Sequence, residues 1–466
     1  MRVCLILEGC YPYVRGGVSS WAHDYIKSNT DIEFVLWTVH AGKEYAQMPL
    51  YEIPENVVET HEVYLEDAYI PDKSKKRITQ KEYADYMHYL GYFVSKESVD
   101  WEKCISYCVK RKVNISDLIH SKAFLDYAKV LAETSQDSIG LSDSFYGLRS
   151  IMMPLIHLIQ QEIPQADLYH SAVTGYGGLL GIIAKEVTGK PFVLTEHGIY
   201  PREREEELMQ ADWVVPSMRS VWINSFYNLS RCAYNYADKV TALFKAASEK
   251  QNEIGCNENK CSIIANGIHI QDFSDIPLRT NEESINIGAF VRFAPIKDIK
   301  TLIYAFYNLQ SRVPSAVLFI MGGTDDAIYK QECEDLINRL EIDNIKSVGH
   351  INTVEYMKEM DFTVMSSISE GQPLAILESL AAGRPCVTTN VGNCSELLLN
   401  EADGFGQAGY CCKPMDIDGL ALAMERLCID KEQRKQFGEN GKKRVKSRYT
   451  HEYMKRSYRD IYSEVL

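Results

Sequence analysis

Residues 365–399 read MSSISEGQPLAILESLAAGRPCVTTNVGNCSELLL. The run from Asp361 to Met365 that leads into them is strand-like, and a serine-rich turn follows it. Gly371, Gln372 and Pro373 then open a helix whose apolar face is Leu374, Leu377, Leu380 and Ala381, and Gly383 with Pro385 closes it. A strand-to-helix junction leaves backbone N–H groups unpaired at the positive end of a helix dipole, which suits a phosphate. Seven residues separate Glu370, just before the helix, from Glu378 inside it, so the two carboxylates stand at different distances from that phosphate. Glu370 is placed to face a sugar and Glu378 a ribose.

Working outward toward the N-terminus, a strand over Ile285 to Phe290 runs into Arg292-Phe293-Ala294-Pro295-Ile296-Lys297-Asp298. Arg292 and Lys297 flank a proline-containing turn, so both can point the same way. Helix (Lys300 to Leu309), strand (Ala316 to Met321), Gly322-Gly323, helix (Ala327 to Leu340), strand (Ile345 to Val348) and Gly349-His350 follow in alternation, which continues to a helix after Asp416. That rhythm predicts a doubly wound α/β domain. The tail from Arg444 to Leu466 is helical, rich in Tyr and Arg, and able to return to the first half.

The first half has the same rhythm. A buried strand (Val3 to Leu7), the loop GCYPYVRGG and a helix from Val18 or Ser19 place Gly16 and Gly17 where a backbone can approach a ligand closely. The G-x-G-x-x-G dinucleotide spacing is missing. A strand over Glu33 to Val39 follows, and then the texture changes. From about residue 59 to 153 the chain is rich in Tyr, Lys and Ser, with helical periodicity, and reads as a helical insertion whose tyrosines fill amphipathic core positions. Alternation resumes at Leu168-Tyr169-His170, with a Gly-rich helix (Gly175 to Val187), the strand Pro191 to Thr195 and Glu196-His197-Gly198. His170 and His197 each follow an expected strand end, where ligands gather in open α/β sheets. The charge run after Tyr200 reads as solvated helix surface, with Arg202 or Arg204 as the cation that would meet an anion. The polar stretch Pro277 to Glu283 marks the boundary, giving a first domain over 1–277, a second over 278–445 and a terminal helix over 446–466.

At 466 residues the chain is too long for one core. A formal charge of −14 argues against a nucleic-acid partner, so an anionic substrate must be held by local cations such as Arg292 and Lys297. The thirteen cysteines show no C-x-x-C pair and read as reduced thiols. The chain opens into a strand without a signal-peptide pattern, and no apolar run approaches the roughly 18–20 residues that span a bilayer, so a cytoplasmic protein is expected. Two α/β halves imply a ligand sandwiched in a cleft, and cations, free N–H groups and two carboxylates fit a diphosphate joined to something rich in hydroxyls.

These residues resemble a known family. The Glu370/Glu378 pair, the Arg292/Lys297 pair, Asn266-Gly267 and Gly16-Gly17 are similar to the pattern of retaining GT-B glycosyltransferases of family 4. More narrowly, LILEGCYPYVRGGVSSW and EHGIYPRER resemble the PelF glycosyltransferases of Pel-type exopolysaccharide synthesis. The resemblance implies a GT-B fold of two Rossmann-like domains that moves a hexose or N-acetylhexosamine from a UDP-sugar to a growing polysaccharide. It implies that Arg292 and Lys297 hold the donor diphosphate, Glu378 the ribose and Glu370 the sugar, assisted by the amides of Gly371 to Ala375, including Leu374. Gly17 would pass close to the phosphate or the acceptor. His170 matches the family histidine beside the reacting sugar, with His197 second, and the nucleotide base would rest near Gly349-His350. No metal is expected, and Asp325-Asp326 reads as a turn. Gln372 stands where wider relatives carry phenylalanine. An inner-membrane export complex is the implied partner. The competing class is a sugar-nucleotide-binding subunit without turnover; a phosphorylase would need a pyridoxal-lysine motif.

Overall fold

Strands dominate the buried interior because both faces of each sheet are covered by helices, which is the arrangement that makes parallel strands read as continuous apolar runs. The computed structural model describes residues 1–46, 48–70, 78–96, 99–135, 137–281, 283–399 and 401–466. Parts of the expected insertion (71–77, 97–98, 136) and Glu282 of the expected boundary lie outside these. The chain divides into a first unit, Met1–Ala242 with Ala247–Ile263 and Tyr458–Leu466, and a second, Leu243–Ala246 with Ile264–Ser457.

The first unit is built on β1 (Arg2–Glu8), β2 (Glu33–His40), β3 (Val57–Tyr64), β4 (Leu168–Ser171), β5 (Phe192–Glu196), β6 (Lys239–Ala242) and β7 (Cys261–Ile263). They pair in parallel in the order β3-β2-β1-β4-β5-β6-β7. The strand order reverses between β1 and β4, and their carboxyl ends therefore open a crevice. Val3, Cys4, Leu5 and Ile6 of β1 are wholly buried. β3 corrects the expected start of the insertion: its mostly exposed or part-buried residues belong to an edge strand, so the helical segment begins after Tyr64. There Thr79 and Glu82 form a reciprocal capping box for the helix Gln80–Leu90. Asp100, Asn114 and Ser121 cap the next three helices. Tyr86, Phe93, Cys104 and Phe124 are buried in one core with the sheet.

The second unit carries β8 (Ile285–Phe290), β9 (Ala316–Met321), β10 (Ile345–Gly349), β11 (Phe362–Met365), β12 (Cys386–Thr389) and β13 (Gly409–Cys412), in the parallel order β10-β9-β8-β11-β12-β13. The reversal between β8 and β11 is again a topological switch point. Arg384, wholly buried, donates to the carbonyls of Met360, Ile276, Ala382 and Pro277 and so ties the end of the helix Leu374–Ala381 to the unit's first residues. The expected continuous terminal helix is two: Lys431–Arg448 and His451–Val465. The break at Tyr449–Thr450 arises because Ile268 pairs there like a strand, its N–H donating to the Tyr449 carbonyl and its carbonyl accepting from the His451 N–H, each at 2.9 Å. Gly267 permits this approach, since a Cβ would lie 2.2 Å from the Thr450 carbonyl oxygen.

Candidate functional site

The loops at the carboxyl ends of β8 and β11 converge on one ion pair. Lys297 closes a one-turn 3₁₀ segment after β8, and Asp298, in the left-handed region at φ 45°, caps the helix that follows by accepting from the Thr301 N–H. Lys297 Nζ donates to Glu370 Oε1 at 2.5 Å, and Ser367 Oγ donates to the same oxygen at 2.6 Å. Both charged side chains are nearly buried, at 17% and 11% exposure. Ser366 Oγ donates to the carbonyls of Lys297 and Asp298 at 3.0 Å each, and the Ile368 N–H donates to the Ile296 carbonyl, which locks the two loops together. A lysine so held is a preoriented point charge with further N–H donors to give.

Glu370 runs into Gly371–Pro373 and the helix Leu374–Ala381, whose amino end has no side-chain cap and no acidic residue in its first turn. Its first amides, those of Leu374 and Ala375, thus stand at an uncompensated positive dipole end. Gln372 is buried and does not point outward: its Oε1 accepts from the Asn266 N–H at 2.7 Å and its Nε2 donates to the Asn266 carbonyl at 3.2 Å. The residue that departs from the family pattern therefore clamps the Asn266-Gly267 turn to this junction. From the other side Gly392, at φ 54°, presses onto it; a Cβ there would lie 2.1 Å from the Gly371 carbonyl oxygen. The Asn393 N–H donates to that same oxygen. Asn393 is 1% exposed, and its side-chain amide has no hydrogen-bond partner among the described residues.

Glu378, one helical turn in, is half-buried, and burial pushes its carboxyl up to about 7. Arg292 shares a loop with Lys297 but is 60% exposed and meets Asp325 at 2.5 Å. Asp326 accepts from the amides of Ile328 and Tyr329 as the cap of the helix Ala327–Arg339. The structure thus separates the two cations onto two carboxylates. His350 is exposed and follows β10 at the edge of the sheet, two strands from the switch point. Among the described residues no group of three or more His, Cys, Asp or Glu side chains is arranged to hold a metal ion.

Of the two histidines of the first unit, both expected after strand ends, only His197 is found there. His170 lies within β4, paired opposite Leu5, and is wholly buried. Its Nδ1 faces Tyr462 Oη at 2.6 Å and its Nε2 faces Thr195 Oγ1 at 2.8 Å. Burial, with the nearby His197 second, holds it neutral, with a pKa down to about 3. With both nitrogens committed inside the sheet, His170 presents no edge to a ligand. His197 instead follows the carboxyl end of β5, is only half-buried, and has an Nε2 without a hydrogen-bond partner among the described residues. Burial pulls it down to about 4, so it too is neutral at pH 7. Gly16 and Gly17 begin the helix Gly17–Ser28, and space beside both is open, so neither glycine is demanded by a neighbouring protein atom. Arg202 is exposed on the helix Tyr200–Gln210. Sequence reading missed Ser366, Ser367, Asp298, Gly392 and Asn393; the left-handed residues among them carry a faint signal, since Val-Gly-Asn and Lys-Asp are turn-forming pairs.

Residues 1–259 match the family described as Domain of unknown function (DUF3492), and residues 271–444 match Glycosyl transferases group 1. N-acetyl-alpha-D-glucosaminyl L-malate synthase of Bacillus anthracis is 25% identical over 52% of this chain, which spans 64% of that relative's length. The UDP-Gal:alpha-D-GlcNAc-diphosphoundecaprenol alpha-1,3-galactosyltransferase of Escherichia coli is 26% identical over 60% of this chain and 70% of its own. Among solved structures, Anabaena HepE in complex with UDP and glucose superposes with a TM-score of 0.59 at 14% identity, covering 99% of each chain. That likeness speaks to the fold, which is GT-B.

Proposed function

The chain belongs to the DUF3492 family and is a glycosyltransferase of the group 1 type, and on that premise we propose that it is a retaining, PelF-type enzyme that transfers a hexose or N-acetylhexosamine from a UDP-sugar to a growing exopolysaccharide. The observation that carries this reading is the Lys297–Glu370 pair at the β8/β11 switch point, beside an uncapped helix amino end. A diphosphate laid across that end meets Lys297 and the amides of Leu374 and Ala375, while Arg292, free to leave an exposed and weakly bound partner, closes on it. Glu370 turns its second oxygen to sugar hydroxyls, and Glu378 receives those of the ribose. The UDP complex of HepE and the UDP-Gal specificity of the Escherichia coli relative support the choice of nucleotide.

In the transfer the C1–O bond to the β-phosphate breaks and a bond from C1 to the acceptor oxygen forms on the same face. The acceptor's proton passes to the departing phosphate oxygen. Positive charge at Lys297, and the helix end, stabilise the charge that grows on that phosphate. Of the first unit's two histidines, His197, which follows the end of β5 and is only half-buried, is better placed to meet a sugar than the wholly buried His170. The group that the resemblance expects to need no metal is the diphosphate, and the cations of this site supply its countercharge.

Incubation of the pure protein with UDP-glucose, UDP-N-acetylglucosamine and UDP-N-acetylgalactosamine, with and without oligosaccharide acceptors, tests the proposal. Release of UDP from one donor, accelerated by acceptor, is expected. Binding of UDP-sugar without release from any of them would favour a non-catalytic binding subunit of a membrane synthase. Docking to an inner-membrane export complex belongs to the same proposal and is read by co-purification with that complex.

A further inference from the structure

The His197 ring does not stand alone. It packs edge-on against Trp21, with ring centres 4.6 Å apart. Trp21 is 6% exposed and is itself fixed on three further sides: it stacks on Tyr25 (5.5 Å, 3° between planes), meets Tyr458 at 5.7 Å and meets the edge of His170 at 6.0 Å. His170 is held in turn by two hydroxyls, Tyr462 Oη and Thr195 Oγ1, and Thr195 Oγ1 lies 2.7 Å from Thr241 Oγ1 and donates to Tyr458 Oη. All the groups behind His197 are buried and come from three places: the helix after β1, the middle of the sheet, and Tyr458–Leu466. Tyr458 and Tyr462 are four residues apart on one helical face, and both are wholly buried.

We propose that Tyr462, His170 and Trp21 form a brace that fixes the His197 ring, so that His170 is a positioning residue and the chain's last turns are a working part of the first unit's site. The proposal rests on the reading of His197 as the sugar-facing histidine. The physical argument is one of restricted freedom. A neutral imidazole with both nitrogens bonded to hydroxyls cannot turn about its χ2 without breaking a buried hydrogen bond. Its edge therefore sets the Trp21 plane, and Trp21 offers His197 one surface to rest on. Removing the Tyr462 hydroxyl leaves His170 Nδ1 unpaired in a dry interior and frees the ring, while every apolar contact remains.

The test compares Tyr462→Phe with Tyr169→Phe, whose buried hydroxyl donates to the Pro164 carbonyl and touches none of these rings. Two readouts are taken on the full chain: kcat and KM for donor-dependent UDP release, and the ring ¹⁵N signals of His197 in histidine-labelled protein. Tyr462→Phe is expected to lower kcat about tenfold with KM within about twofold, and to shift the His197 signals. Tyr169→Phe is expected to lower the melting temperature comparably and change neither. Wild-type kcat with unmoved His197 signals in Tyr462→Phe overturns the brace, as does an equal effect of Tyr169→Phe. If the wild type releases UDP from no donor, the functional reading fails, and the His197 signals alone decide the brace.

Discussion

At the scale of single residues, the site is a set of groups whose charge is decided by what surrounds them. Lys297 and Glu370 compensate each other in a nearly dry place, so removing either leaves the other exposed to the full cost of burial. Lys297→Ala is expected to lower kcat/KM by about 10²–10³, as loss of one preorganised donor does. Lys297→Arg is not expected to rescue it, because the longer planar fork cannot take the place of a compact point charge wedged against Glu370. Steady-state UDP release checks both, and wild-type rates in either variant would remove Lys297 from the site. Glu378 gives a pH signature. Its folded-state pKa of about 7 lies above the ordinary 4.5, so between those values the folded chain holds more protons than the unfolded one. Stability contributed by this carboxyl is accordingly full below about pH 4.5 and falls by about 1–3 kcal/mol as pH rises through 7. Denaturant melts at pH 5 and pH 8 are expected to show a larger loss of stability in the wild type than in Glu378→Gln. UDP affinity is expected to run the other way, tightening up to about tenfold from pH 6 to pH 8 in the wild type and staying flat in Glu378→Gln, because ribose hydroxyls donate to the ionised form.

At the scale of elements, the strand-to-helix junction at 365–375 is held by three backbone devices: the Gln372 clamp on Asn266, the approach of Gly392 to the Gly371 carbonyl, and the Ser366 bonds to the loop after β8. Gly392→Ala meets both a left-handed φ and a 2.1 Å contact with backbone oxygen, so it is expected to cost more than about 2 kcal/mol and to displace the Glu370 carbonyl. Gln372→Ala leaves one N–H and one carbonyl of Asn266 without partners and is expected to cost about 1–3 kcal/mol. Thermal or denaturant unfolding measures both, and neutrality of either would show that the junction is held elsewhere. Much of this element was legible in the sequence: a β-branched run, a glycine-proline opening and a Gly-x-Pro end mark strand, helix and stop without reference to the rest of the chain. The partners were not, because Lys297 and Glu370 are 73 positions apart and Gln372 and Asn266 106 apart, and no local pattern encodes a meeting at that range. The different settings of the two histidines escaped the sequence for a related reason. His170 and His197 both follow apolar runs, but His170 is the third residue of a four-residue strand whose pairing carries it inside the sheet, whereas His197 lies one residue past a strand end. The edge strands β3 and β7 escaped notice because, with one side open, they need little apolar content.

At the scale of the whole molecule, two sheets with the same order of strands about a central reversal place their loops for ligands in the same way, yet the chemistry is unequally shared. The Lys297–Glu370 pair, the helix end beside it and Glu378 belong to the second unit; the two neutral histidines, Gly16, Gly17 and the aromatic rings behind His197 belong to the first. Each unit has its own apolar core, so a ligand bound to one stabilises that one by mass action and reaches the other only through whatever couples them. Hydrogen exchange with and without UDP is expected to show protection concentrated at 290–298 and 366–378, where Lys297, Glu370, the Leu374 amide and Glu378 lie. The helices between 80 and 159 should exchange unchanged, since their buried tyrosines serve the first core and no site group is drawn from them. Protection confined to the first unit would move the nucleotide out of the β8/β11 switch point and with it the roles given to Lys297, Glu370 and Glu378.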